Sequence, residues 1–204
     1  MTKPTVVRAP DATRERILNA AFAEFYRKGF QSGSLNQIVE AAGTTKGALF
    51  HHFDGKQQLA YAVVDELIEP LLLARWLDPL VESTDPIGSL QASFRRFGNE
   101  DTDSRSGIQG CPLNNLAQEM SPLDDGFRLR IDRLYTLWRN GIATALTRGI
   151  EAGTVRKDVV PKTIASFVVA GQMGIWGTGK SSQSKTVMMQ ATDVLCDFLD
   201  TLRN

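Results

Sequence analysis

Residues 34–53, SLNQIVEAAGTTKGALFHHF, decide how this chain is read, because they hold two short amphipathic helices separated by Ala42-Gly43-Thr44. Leu35, Ile38, Val39 and Ala42 recur at i, i+3, i+4 and i+7, which gives the first helix one apolar stripe. Ser34 followed by Gln37 has the spacing of a capping box. Gly43 stands just past the helix end, where a left-handed residue closes it, and Thr45 is placed to cap a second helix beginning at Lys46. On that second helix Leu49 and Phe53, four apart, face inward, so Lys46, Gly47, Ala48, Phe50, His51 and His52 turn largely outward. Two short helices, a sharp turn and a basic outward face with small residues predict a helix-turn-helix that enters a DNA groove.

Charge agrees in sign. The whole chain has a formal net charge of +0, which argues against a purely electrostatic nucleic-acid binder. Residues 1–56 hold eight Lys and Arg against five Asp and Glu, a net of +3, and the remainder carries −3. A basic head on an acidic body fits a protein that meets phosphates at one end only, although an ordinary solvated surface gives the same split.

The run from Thr13 to Leu59 resembles the N-terminal domain of the TetR/AcrR family of bacterial transcriptional regulators. The resemblance covers Ile17, Leu18, Ala21, Phe22 and Phe25 on the inner side of a first helix, the ending Lys28-Gly29-Phe30, and the Ala41-Ala42-Gly43 turn. It continues through Lys46-Gly47-x-Leu49-aromatic-x-His52-Phe53 to Lys56. It implies a three-helix DNA-binding domain over 13–58, after a flexible arm at 1–12, and an effector-binding and dimerisation domain over 59–204. By position, Thr45, Lys46, His52 and Lys56 match residues that hold phosphates, and Ser34 starts a helix that abuts the DNA backbone. Gly47, Ala48 and His51 match positions that approach base edges, where a small side chain lets the helix sit deep. Phe50 stands where the family often has Tyr, so a hydroxyl contact to phosphate gives way to ring packing alone. Gly33 stands where threonine is frequent, which leaves Ser34 to cap alone.

His51 and His52 are the only histidines, and neighbours on a helix point about a hundred degrees apart, too far to chelate one ion. No metal site and no cofactor are expected. Lys56 also reads as a solvated lysine opening the next helix.

At 204 residues and 42% hydrophobic content the chain can bury a sizeable core. The expected fold is all-α: no stretch alternates apolar and polar residues with β-branched enrichment, and about six body helices should follow the head. The start, MTKPTVVRAPDATR, lacks the apolar run of a signal peptide, and no membrane span is visible, so a cytoplasmic protein is expected. Cys111 and Cys196, far apart, are not a disulfide framework in a reducing compartment.

In the body, Leu59, Val63 and Leu67 mark a helix from about Lys56 to Trp76, and Ile87, Leu90, Phe94 and Phe97 mark another. The polar stretch from Gly98 to Gly110 is expected to be a mobile loop. A helix opens at Cys111-Pro112, and a long one from about Asp124 to Gly153 turns Phe127, Ile131, Leu134, Trp138 and Ala145 inward. Ile164, Phe167, Val168, Gly171 and Ile175 line one side of the penultimate helix, while Ala165, Val169, Ala170 and Met173 keep its other sides apolar. Val187, Ala191, Val194, Phe198 and Leu202 form a stripe on the last helix, widened by Leu195 and Leu199. These two helices resemble the family's dimerisation pair, which implies a homodimer through a four-helix bundle and a near-palindromic double-stranded operator. The alternative is that they close a monomer core. Gly171, Gly174 and Gly177 either permit close helix approach or loosen the helix end.

For the effector, two readings stand. Pro112 suits the first turn of a helix, which puts Cys111 at the N-cap, where dipole and free amides favour a thiolate. The segment GCPLNNLAQEMS resembles a subgroup that includes the electrophile-responsive repressor of N-ethylmaleimide reductase, and Lys180 is a candidate neighbour for this thiol. Alternatively, Phe94, Trp138, Gln172, Met173 and Trp176 line a mostly apolar cavity for a reversible small molecule, or belong to the core. Repression is the family's usual outcome, with activation as the variant. An enzyme would need a polar catalytic cluster, and the chain has no Glu-x-x-His pair, no phosphate-cradling glycine loop and no histidine outside the head. A pure interaction module would explain the last two helices but not the recognition helix.

Overall fold

The computed structural model describes residues 12–100 and 108–204, which fall into two compact units that meet in sequence between Leu67 and Ile68. The arm expected before Thr13 and most of the loop expected after Gly98 lie outside the described residues. Those residues are helical apart from turns and one isolated antiparallel bridge, Val155 to Arg203, so the fold is all-α.

The first unit is built on α1 (Ala12–Lys28), α2 (Leu35–Ala41), α3 (Lys46–His52) and α4 (Lys56–Val63). Ile17, Leu18, Ala21 and Phe25 of α1 form a buried stripe, and α1 packs on α2, α3 and α4, which bury Ile38, Leu49, Leu59 and Val63. Phe22 sits at the edge of that stripe, half-buried and stacked on Tyr26 with ring centroids 5.7 Å apart. Arg14 adds a polar clamp: its fork meets both oxygens of Glu66 at 2.6 Å, and its guanidinium lies 5.0 Å above the Phe53 ring.

Helical winding after α4 passes through a π-turn at Val64–Ile68, α5 (Glu69–Leu72), a second π-turn at Leu73–Leu77 and α6 (Asp78–Val81). The predicted stop near Trp76 therefore falls short by one turn. Pro70 and Pro79 stand at the openings of α5 and α6. A proline has no N–H to return to the carbonyl four residues back and its ring crowds that carbonyl, so each π-turn takes up the lost bond just before a proline.

The second unit continues with α7 (Pro86–Glu100), α8 (Pro112–Met120), α9 (Asp125–Glu151), α10 (Pro161–Ser182) and α11 (Lys185–Asp200). The long α9 starts at Asp124, whose carboxylate accepts the Phe127 N–H at 2.8 Å, and its buried face is Phe127, Ile131, Leu134, Trp138, Ile142 and Leu146. That face packs against α10, and α11 closes over α10 and α7. On α11 the inward stripe is Met188, Leu195 and Leu199, while Val187 and Val194 of the predicted stripe face solvent. Gln183 ends α10 in the left-handed region at φ 49°, held there because its side-chain amide donates to the Ile108 carbonyl and accepts the Ile108 N–H, both at 2.9 Å. A fork from Arg203 onto Asp85, at 2.9 and 3.2 Å, fastens the C-terminus to the start of α7.

Candidate nucleic-acid interface and body cavity

The turn between α2 and α3 is set by local chemistry. Gly43 takes φ 58° and donates to the Glu40 carbonyl, while Thr44 N–H reaches the Val39 carbonyl, the paired bonds of a helix closed by a left-handed glycine. Thr45 then caps α3, its hydroxyl accepting the Ala48 N–H at 3.2 Å. With Leu49 and Phe53 buried, Lys46, Gly47, Phe50 and His51 are exposed and Ala48 and His52 half-buried, so these six form the outer side of α3. His51 and His52 meet edge to face at 5.1 Å, and among the described residues no group of His, Cys, Asp and Glu could hold a metal ion.

The start of α2 differs from the expected capping box. The Ser34 side chain makes no cap bond, and its N–H donates 3.1 Å to Glu24 Oε1. Gln37 accepts from Lys28 instead of reaching back to Ser34. Glu24 displaces the box because it is already fixed: a carboxylate only 6% exposed, it also pairs with Arg27 and Lys28, each at 3.1 Å. Burial pulls its carboxyl upward, but the Ser34 amide, Lys28 and Arg27 outweigh it and hold the group below the ordinary range. Lys56, half-buried, donates to the Gln31 carbonyl at 2.9 Å and lies 4.8 Å over the Phe30 ring, so it braces the α1–α2 turn whatever else it meets. At Gly33 an added Cβ would lie 2.7 Å from the Phe25 ring, which is why the threonine frequent in the resembling family has no room here.

The second unit holds a small cavity with about 30 Å³ of water-accessible space. Ile68, Leu71, Leu72, Arg75 and Trp76, from α5 and the flanking π-turns, make one wall. Cys111, Pro112 and Leu113 at the start of α8 make another, and Trp138, Met173 and Trp176 of α9 and α10 complete it. Of the sequence candidates, Cys111, Trp138, Met173 and Trp176 thus share one wall surface. Phe94 lies behind it, 5.4 Å from Trp76, which itself stacks on Trp138 at 5.1 Å. Gln172 is buried on α10 with Oε1 unpartnered, outside the lining. Lys180 crosses Gly110, the residue before Cys111, and gives its ammonium to Asn115 Oδ1 at 3.1 Å. Cys111 is the half-buried N-cap of α8 with Pro112 in the first turn. Tyr135 is also close to the thiol; burial and the nearby Cys111 push its phenol far up, so it stays protonated. The other cysteine, Cys196, is buried, and burial raises its thiol as well.

Residues 17–63 match the family of bacterial regulatory proteins, tetR family, and residues 90–195 match the tetracyclin repressor-like C-terminal domain. The transcriptional regulator LmrA of Bacillus subtilis is 33% identical over 188 residues, covering 92% of this chain and 96% of its own.

The chain belongs to the TetR family.

Other TetR-family relatives include the transcriptional repressor DhaR of Mycobacterium sp. strain GP1, 27% identical over 163 residues and covered to 79% in each chain. A TetR transcriptional regulator from Chloroflexus aurantiacus superposes with a TM-score of 0.82 at 25% identity, covering 94% of this chain and 96% of that one. Both the helix-turn-helix and the class of transcriptional regulator are therefore TetR properties carried by this chain. No helix among the described residues is long and apolar enough to cross a membrane. Within the TetR head, residue spacing alone missed Glu24; its only signal was an acidic residue on the inner side of α1, with Arg27 and Lys28 three and four places on.

Proposed function

We propose that this chain is a homodimeric cytoplasmic repressor that leaves a near-palindromic operator when an effector acts on the second unit. The observation that carries the DNA side is the outer face of α3, fixed by the Thr45 cap and by the burial of Leu49 and Phe53. Lys46, with Thr45, His52, Lys56 and Ser34 around it, meets phosphates. Gly47, Ala48 and His51 reach base edges, Phe50 packs its ring on the backbone, and small side chains at 47 and 48 allow close approach.

Dimerisation is supported by what α10 and α11 leave outside. Phe167 is 54% and Val194 67% exposed, and the Phe167 ring meets Phe198 edge-on at 5.0 Å across the two helices. Gly174 and Gly177 have nothing within 4 Å of an added Cβ, so a partner helix can come close there. A two-fold pair would place two α3 helices in successive major grooves, about 34–36 Å apart. The effector then favours a state whose heads no longer match that spacing, and operator and effector weaken each other by one common factor.

The effector's place in this reading is the cavity beside Trp138, Met173 and Trp176. A second reading has one observation in its favour, that Cys111 forms part of the same wall, so an electrophile or oxidant would act there by modifying the thiol. Light scattering of the purified chain at micromolar concentration tests the dimer, and operator release before and after Cys111→Ser separates the two effector chemistries. A monomer that still binds a palindrome tightly would overturn the dimer reading.

A further inference from the structure

A notch separates the first turns of α2 from α3, lined by Ser34, Leu35, Asn36 and Val39 on one side and by Lys46, Leu49 and Phe50 on the other. It has about 280 Å³ of water-accessible space, enough for a methyl group and the base edge that carries it. Its apolar lining is Leu35, Val39 and Leu49, to which Phe50, 52% exposed, adds part of its ring. The polar side chains on it are the Ser34 hydroxyl, the Lys46 ammonium and the Asn36 amide. The hydroxyl and the ammonium can both donate, as a phosphate needs. Asn36 differs. It is exposed, and among the described residues its amide has no hydrogen-bond partner, whereas its neighbour Gln37 is engaged by Lys28. An amide carries a donor and an acceptor side by side, and only a guest with both uses it fully. A phosphate and the major-groove edge of guanine offer acceptors alone and would leave the Asn36 oxygen unpaired, while adenine presents N7 as acceptor and its N6 amine as donor.

We infer that Asn36 is a specificity-determining residue on α2: it reads an adenine in the major groove, and the notch beside it takes the methyl group of the thymine paired to that adenine. The Asn36 nitrogen donates to adenine N7 and its oxygen accepts from N6, and both groups lie on the same groove edge as the thymine methyl. Leu35, Val39 and Phe50 cover that methyl, which a G·C pair lacks. In a two-fold dimer each half-site then carries one A·T pair set by α2, beyond the base edges that Gly47, Ala48 and His51 of α3 approach. The inference rests on the reading that this head enters DNA with α3, and its test tells the two apart.

The experiment is selection of duplexes from a randomised double-stranded DNA library by the full-length protein and by Asn36→Ala, with the bound fraction sequenced. Asn36 is exposed and alanine suits a helix, so circular dichroism should show the same fold in both. The wild type should select a near-palindrome with an A·T pair in each half preferred at least about tenfold over G·C, a preference that drops below about twofold in Asn36→Ala while the other selected positions stay. On the selected duplex, 7-deazaadenine at that position removes N7 and should cost the wild type about fivefold in affinity and Asn36→Ala nothing. Deoxyuridine in place of the paired thymine removes only the methyl and should cost both proteins about fourfold. An unchanged base preference in Asn36→Ala would overturn the assignment, and so would an equal loss of affinity at every sequence, which would make Asn36 a phosphate contact. Deoxyuridine without effect would overturn the seat for the methyl. A wild type that selects no sequence at all would instead sink the reading of the head as a DNA reader.

Discussion

Replacing Glu24 by Gln is the sharpest test of how the DNA-binding head is held. The carboxylate accepts the Ser34 N–H at 3.1 Å and pairs with Arg27 and Lys28, each at 3.1 Å, from a position only 6% exposed. Glutamine keeps the length and an acceptor for Ser34, so the loss is that of charge. A hydrogen bond to a charged acceptor exceeds a neutral one by about 1 kcal/mol. The Arg27 side chain is 62% and that of Lys28 31% exposed, so the two pairs add about 0.5 kcal/mol each after solvent screening. Relief of the buried charge returns part of this, leaving a net cost of about 1–2 kcal/mol, or roughly tenfold faster exchange of the Ser34 amide. The pH dependence has a definite sign. Because the folded pKa lies below the ordinary glutamate value, the contribution is complete at neutral pH and fades as pH falls through the folded pKa. Amide exchange followed by mass spectrometry on wild type and Glu24→Gln should therefore show a gap at neutral pH that closes as the pH falls through the lowered pKa of this carboxylate. No gap at neutral pH, or a gap that stays constant into acid, would refute the assigned role of this carboxylate.

Three other substitutions probe separate parts of the account. Gly33→Ala puts a Cβ 2.7 Å from the Phe25 ring, and thermal unfolding should show a cost of about 1–3 kcal/mol, where relief from glycine alone would have given a gain. Gly174→Leu adds a side chain where the protomer has nothing within 4 Å, so circular dichroism should show an intact or slightly more stable helix while light scattering shows loss of the dimer. Cys111→Ser should leave operator affinity within about twofold and abolish release by electrophiles only, if the thiol is the sensor; release by a reversible small-molecule ligand should survive it, as anisotropy would show.

The helix-turn-helix was legible because its chemistry is local: Gly43 must be left-handed and Thr45 must cap, and both lie within a few residues of the bonds they make. The entry to α2 was not, since the group that takes the Ser34 N–H is Glu24, ten residues upstream, and a capping-box rule sees only Gln37. Lys56 shows the same limit, its ammonium resting on a carbonyl twenty-five residues back. In the body, periodicity found the apolar positions of α9 and α11 but not which stripe of α11 faces inward, because Val187, Val194, Leu195 and Leu199 are equally hydrophobic. The cavity candidates met the same ambiguity. Phe94 and Trp138 are both fully buried aromatics, and only packing puts one behind Trp76 and the other in the wall. The two π-turns had a visible signal in Pro70 and Pro79 that a count of helical periodicity passes over.

The central claim is that α3 reads operator DNA with Lys46 on a phosphate, and the direct measurement is the salt dependence of binding to the DNA upstream of the chain's own gene. Fluorescence anisotropy across a salt series gives the number of phosphates neutralised from the slope of log affinity against log salt. Lys46→Ala, whose side chain is exposed and leaves the fold untouched, should weaken binding and flatten that slope by about two, one phosphate per protomer of a dimer. An unchanged affinity with an unchanged slope would place the DNA contact elsewhere and contradict the assignment of α3.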